Sequence, residues 1–173
     1  MKKIHLYALA VLASVTLWSC GGSGNKPADS SATQTETTAP ATTSSNVALS
    51  QEIVLEGNDQ MKFNAEEFRV KAGEQVTLTL KHVGTMAKDV MGHNVVVLAP
   101  GTDLAAFATD AIKAKATDYI PQGHENAIIA HTSLIGGGES DTITFTLSEA
   151  GTYEFLCSFP GHSSVMKGII VAE

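Results

Sequence analysis

Three stretches of this chain alternate apolar and polar residues with a period of two. Val76, Leu78 and Leu80 alternate with Thr77, Thr79 and Lys81, and Ile143, Phe145 and Leu147 repeat the pattern. So do Tyr153, Phe155 and Cys157. That period is the signature of a half-buried strand, with one face on a core and one towards solvent. Val95-Val96-Val97-Leu98 and Ile169-Ile170-Val171 are short unbroken apolar runs, which read as fully buried strands. Turn-forming clusters separate these segments: Gly57-Asn58-Asp59, Ala72-Gly73-Glu74, Gly136-Gly137-Gly138 and Ala150-Gly151-Thr152. Short strands at this spacing predict an all-β sandwich or barrel from about Val47 onward. One segment breaks the pattern. From Thr102 to Tyr119, Ala, Leu, Phe and Ile recur at helical spacing, with Thr102 or Asp103 available as N-cap. This predicts one inserted helix with a ragged end, packed outside the sheets.

The chain has 173 residues, room for one domain with appendages. Residues 1–19 have the layout of a secretory signal. Lys2 and Lys3 open it, an apolar run from Leu6 to Val15 follows, and Ser19 precedes Cys20. The run is shorter than the roughly twenty apolar residues that a spanning helix needs. A cysteine after a small residue at such a place resembles a lipobox, in which Cys20 is lipidated and becomes the new N-terminus. The bland alternative is an ordinary signal cut near Ser19, which would leave an exposed thiol in an exported protein. From Gly21 to Ser45 no aromatic residue occurs and no aliphatic larger than alanine. Such a segment cannot offset its ordering entropy and is expected to be disordered. Residues 20–46 thus read as a lipidated tether, with a flexible span of roughly 30 Å, leading into a domain over residues 47–173.

Formal charge is −7. Without Lys2 and Lys3, nine basic residues face eighteen acids, so the mature chain stands near −9. That balance excludes the basic footprint of nucleic-acid binding. It also opposes electrostatic docking on anionic lipid, so a lipid on Cys20 must supply any anchoring.

The chain has two cysteines, and if Cys20 carries lipid then Cys157 has no disulfide partner. A lone thiol in an oxidising compartment is usually sequestered by burial, chemistry or a metal. Cys157 opens the run Cys-Ser-Phe-Pro-Gly-His-Ser-Ser-Val-Met, which ends at Met166, and far upstream stands Met91-Gly92-His93-Asn94. One thiolate, two imidazoles and a thioether form the donor set of a mononuclear blue-copper site, trigonal His₂Cys with a weak axial Met. Cupric ion prefers nitrogen and oxygen donors, cuprous ion soft ones, and this set lies between the two. Cys157, His162 and Met166 share one loop, whereas His93 comes from a separate strand edge. The site therefore forms only when two parts of a sandwich meet.

The stretch from Gly57 to Val171 resembles the azurins, bacterial members of the cupredoxins. The matching segments are Gly57-Asn58-Asp59-Gln60-Met61, Val90-Met91-Gly92-His93-Asn94, Ile129-Ala130-His131-Thr132, Leu134-Ile135-Gly136, Phe159-Pro160-Gly161-His162 and Met166-Lys167-Gly168. Four residues separate Cys157 from His162 and three separate His162 from Met166, the azurin loop spacing rather than the plastocyanin one. The resemblance implies a two-sheet Greek-key cupredoxin sandwich carrying one copper per chain. It implies His93, Cys157 and His162 as equatorial ligands, Met166 as the axial one and the Gly92 carbonyl as a weaker axial donor. Asn94 and the backbone amide of Phe159 would fix the loop and hydrogen-bond the sulfur, tuning the potential. Met61, Met86, Met91, Phe159, Pro160 and Val165 would form a flat apolar patch over His162, suited to brief docking. The partners implied are redox proteins such as c-type cytochromes or a terminal oxidase or reductase, met by a monomer. The family's N-terminal disulfide is missing, and Val95 stands where azurins often carry a buried tryptophan.

The function expected is one-electron transfer from a lipid-anchored, exported domain in the periplasm or on the cell surface. Its site leaves no ligand position for a small-molecule substrate, so no enzyme is implied. A copper enzyme would need a second centre, and His82, His124 and His131 form no His-x-His pair. Copper storage or delivery is the alternative; carriers of that kind usually expose Met or Cys clusters. His82 reads as a satisfied core histidine or a modest pH sensor, His124 as solvated, and Glu66-Glu67 as a solvated edge.

Overall fold

The computed structural model describes residues 47–173. The signal, Cys20 and the tether to residue 46 lie outside the described residues. Strand β1 (Glu52–Gly57) runs parallel to β3 (Gln75–His82), with Glu52 opposite Thr77, and β3 pairs antiparallel with β6 (Ser140–Thr146), with Val76 opposite Phe145. The second sheet has five strands, in the order β2 (Glu67–Val70), β8 (Lys167–Ala172), β7 (Gly151–Leu156), β4 (Val96–Leu98) and β5 (Ile128–His131). Only its β2–β8 edge is parallel.

Alternation places the core. Val76, Leu78, Leu80 and His82 of β3 are buried while Lys81 between them is exposed. Val76, Leu78 and Leu80 meet Val95, Val97, Tyr153, Phe155 and Ile170 from the facing sheet in one apolar cluster. Phe155 lies near its middle, with the rings of Phe63 and Phe68 at 6.0 and 5.9 Å. Val95 is fully buried there, so an aliphatic fills the place that the resemblance gives to tryptophan.

A second cluster explains why residues 95–98 are apolar without a break. Val96, Leu98 and Leu156 point to the outer side of the sheet and are covered by Phe107 and Ala111 of helix α2 (Leu104–Ala111). That cluster contains no residue of β8. Accordingly Ile169 and Val171 are only half-buried, and of this run Ile170 alone is buried on the core side. The reading of residues 169–171 as a fully buried strand is corrected in that respect.

The inserted helix is shorter than its periodicity suggests. Asp103 caps it, accepting from Ala105 N–H at 2.9 Å and Ala106 N–H at 3.0 Å, which satisfies two otherwise orphan donors. Helical winding then yields to a 3₁₀ turn at Lys115–Thr117, followed by Asp118 and Tyr119 at positive φ. The reversal takes the Tyr119 ring away from the helix face and into the main core, where it is 8% exposed. A four-residue helix, α1 (Lys88–Met91), was not foreseen, because four residues show no period.

Candidate metal centre

Cys157 follows directly on β7, and its N–H donates to the Met166 carbonyl at 2.9 Å, closing the loop at its base. Inside the loop, His162 N–H bonds Phe159 O at 3.0 Å and Met166 N–H bonds His162 O at 2.8 Å. Gly161 turns the chain at φ +82°, a region that glycine enters without steric penalty. The result returns His162 to the thiol, with Cys157 Sγ 3.6 Å from His162 Nδ1.

His93 arrives from the other side, pinned by reciprocal backbone bonds with Ile135 of 3.0 and 2.9 Å. Its Nδ1 lies 3.2 Å from His162 Nδ1. The other nitrogen, Nε2, lies 2.9 Å from the Asn58 carbonyl. A carbonyl can only accept, so Nε2 carries the hydrogen and Nδ1 presents a bare lone pair. His93, Cys157 and His162 are all buried, with donor atoms within 4.8 Å of one another.

Met166 is fully buried beside them. A Cβ placed on Gly57 would stand 3.3 Å from the Met166 methyl and 2.7 Å from His93 Cδ2. Gly57 thus sits against both side chains, and its lack of a side chain makes room for them. Gly92, the cap of α1, is extended and immediately precedes His93.

A model of copper binding proteins of the plastocyanin/azurin family matches residues 49–173. The chain belongs to this family. Azurin of Alcaligenes faecalis is 49% identical over 124 residues, which cover 69% of this chain and 95% of that protein. Outer membrane protein H.8 of Neisseria gonorrhoeae is 42% identical over 117 residues, or 66% of this chain and 63% of that one. The solved structure of reduced auracyanin from Roseiflexus castenholzii superposes with a TM-score of 0.65 at 35% identity, covering 73% of this chain and 99% of that chain. Membership makes the two-sheet architecture a cupredoxin sandwich, copper its cofactor and electron transport its general role.

The electrostatics of the pocket suit that cofactor. Burial pushes the Cys157 thiol up to about 11, with the backbone N–H groups of Asn94 and Phe159 opposing it. Burial, then the neighbouring His93 and His82, bring His162 down to about 4. Burial also holds His93 below its ordinary value, although the Asn58 carbonyl pulls the other way. At neutral pH the pocket thus offers two neutral imidazoles and a thiol that ionises only beside a cation. A soft sulfur with two neutral imidazoles fits copper.

Asn94 ties the two ligand segments together. Its Oδ1 accepts from Ser158 N–H at 2.8 Å, and its Nδ2 donates to Ser158 Oγ at 2.8 Å and to the Asp118 carbonyl at 3.3 Å. His82 stacks on His93 at 4.3 Å between ring centroids, with 17° between planes. Both its nitrogens are engaged: Gly84 N–H donates to Nδ1, and Nε2 meets the Met91 carbonyl at 2.8 Å. That is a satisfied core histidine.

Of the apolar patch residues, Met61, Met86 and Val165 are exposed at 39%, 36% and 55%. Met91 and Pro160 are half-buried, and Phe159 is buried with its ring 4.7 Å from that of His162. Met61 and Val165 line one groove of about 560 Å³. Sequence reasoning missed Asp59, whose carboxylate accepts from Thr85 N–H at 2.9 Å and Met86 N–H at 3.2 Å. It clamps the Met86 segment to the turn that supplies the Asn58 carbonyl; an Asp beside a Gly-Asn turn was the available signal. His124 is only partly solvated, its side chain being 30% exposed. Its ring meets Phe107 edge-on at 5.5 Å, and Nε2 lies 3.3 Å from Asp110 Oδ2.

Proposed function

We propose that this protein is a one-electron carrier whose copper is held by His93 Nδ1, His162 Nδ1 and Cys157 Sγ. Met166 would add a weak thioether donor and the Gly92 carbonyl a weaker oxygen donor. The observation that carries this reading is the convergence of two buried imidazole nitrogens on one buried thiol. Copper supplies reversible one-electron exchange in such a donor set. The chain supplies rigidity. His93 is fixed through Asn58 and Ile135, His162 through Phe159 and Met166, and Cys157 through Met166, so the donors change little between oxidation states. N–H groups of Asn94 and Phe159 on the sulfur moderate its donation to the metal. Burial excludes water, which leaves no substrate position and no catalysis.

Electrons would pass at the patch of Met61, Met86, Met91, Phe159, Pro160 and Val165, where redox proteins such as c-type cytochromes or a terminal oxidase or reductase dock briefly. Residues 1–19 would be a lipoprotein signal, residues 20–46 the tether on a lipidated Cys20, and residues 47–173 the copper domain, which acts as a monomer. The likeness to a protein named for the outer membrane supports placing the domain outside the cytoplasm, at a bacterial membrane. Copper storage or delivery has one observation in its favour, the exposed thioethers of Met61 and Met86. The burial of Cys157 weighs against it, because a closed site releases metal slowly. Oxidised, copper-loaded protein should show an intense blue thiolate-to-copper band, and Cys157→Ser should lose it while keeping the fold. A blue Cys157→Ser protein would refute the ligand assignment; rapid copper loss to a chelator would favour delivery.

A further inference from the structure

The turn that leaves helix α2 reaches back towards the Cys157 sulfur through two independent contacts. Asp118 and Tyr119 stand at φ +52° and +64°, a region that residues with a side chain avoid. Local bonds hold the turn: Tyr119 N–H donates to Ala114 O at 2.9 Å, and Thr117 Oγ1 donates to Ile120 O at 2.6 Å. In the first contact the Asp118 carbonyl accepts from Asn94 Nδ2 at 3.3 Å. In the second the Tyr119 ring packs on Phe159, with centroids 5.1 Å apart and planes at 70°. Asn94 holds Ser158, the residue after Cys157, through Ser158 N–H and Oγ, and the backbone N–H groups of Asn94 and Phe159 both favour the ionised sulfur. One strained turn therefore backs both donors. Strain of this kind persists where the surroundings over-determine it, and here the surroundings are the ligand loop.

We propose that Asp118 and Tyr119 are positioning residues for the ligand sulfur, the turn fixing both N–H donors on Cys157 and so setting how strongly it donates to the metal. The proposal rests on Cys157 being the thiolate ligand, yet its first consequence needs no metal. In metal-free protein, Tyr119→Ala should speed hydrogen exchange at Phe159 N–H by roughly tenfold or more while β3 amides stay protected. In copper-loaded protein the same change should lower the reduction potential, since a sulfur with weaker N–H bonds donates more to cupric ion. Tyr119→Phe keeps the ring and should match the parent in both readouts. Asp118→Gly keeps the carbonyl and enters positive φ freely, so it should keep the potential and melt higher. Phe107→Leu thins the packing beneath the same helix; it should lower the melting temperature and leave the potential alone. Should Tyr119→Ala not fold, Tyr119→Leu is read in the same way. Unchanged Phe159 exchange in a folded variant overturns the role of the turn. Faster exchange with an unchanged potential overturns the link to the metal, while the ligand role of Cys157 stands or falls separately on the blue band that Cys157→Ser should lose. A shift in Phe107→Leu as large as in Tyr119→Ala would make the effect general loosening and overturn the proposal.

Discussion

The Nδ1 atoms of His93 and His162 lie together beside Cys157, and burial holds both rings below their ordinary value, His162 down to about 4. The thiol is held protonated, up to about 11. Copper uptake at pH 7 should therefore release one proton, from Cys157. Affinity should rise about tenfold per pH unit through neutrality. Below about pH 4 His162 also binds a proton, so the release should grow to two and the slope steepen. Calorimetry in buffers of different ionisation enthalpy counts these protons; two at pH 7 would mean an imidazole was charged. Met166→Leu tests the axial donor. Loss of a weak ligand disfavours cupric ion more than cuprous, so the potential should rise, on the order of 59 mV for a tenfold change in preference. An unchanged potential would remove Met166 from the metal. The proposed ligand residues could be read from residue type and loop spacing. The Asn58 carbonyl that sets the His93 tautomer could not, because a backbone oxygen leaves no mark in a sequence.

At the scale of elements, β3 and β6 were legible because each buries one face and so alternates, and β7 because it alternates as far as Phe155, before Leu156 turns under helix α2. The long span predicted for the inserted helix failed at its end, where burial of Tyr119 overrides helical winding. The half-exposed outer face of β8 was hidden for a related reason: an apolar run does not say whether a helix covers it. Two substitutions separate support from site. Asp103→Ala removes the helix cap and should cost about 1 kcal/mol, lowering the melting temperature by a few degrees without changing the visible spectrum. Gly57→Ala forces a Cβ to within 2.7 Å of His93 Cδ2. It should displace that ring and alter the copper spectrum even where the protein stays folded. An altered spectrum in Asp103→Ala, or a parental one in Gly57→Ala, would contradict this division.

For the whole molecule, Met61, Met86 and Val165 are exposed on a chain with an excess of acids, and the proposed docking patch takes them in. A lipid on Cys20 and a flexible tether would raise the effective concentration of that surface near membrane partners. Cys20→Ala should yield uncleaved precursor or soluble protein in cell fractionation, since two or three acyl chains anchor stably and none does not. Processed Cys20→Ala protein in the membrane pellet would place the anchor elsewhere. The strand periods and the donor types are local properties, and local composition and spacing are enough to determine them; the signal layout and the Ser/Thr/Ala tether are expectations from composition that lie outside the described residues. Which tautomer His93 adopts, which face of the second sheet is covered, and how Asp118 and Tyr119 come to back the sulfur were decided by tertiary structure. Each depends on groups far apart in the chain meeting in a dry core, where an unpaired polar atom is costly and one partner dictates the other's geometry.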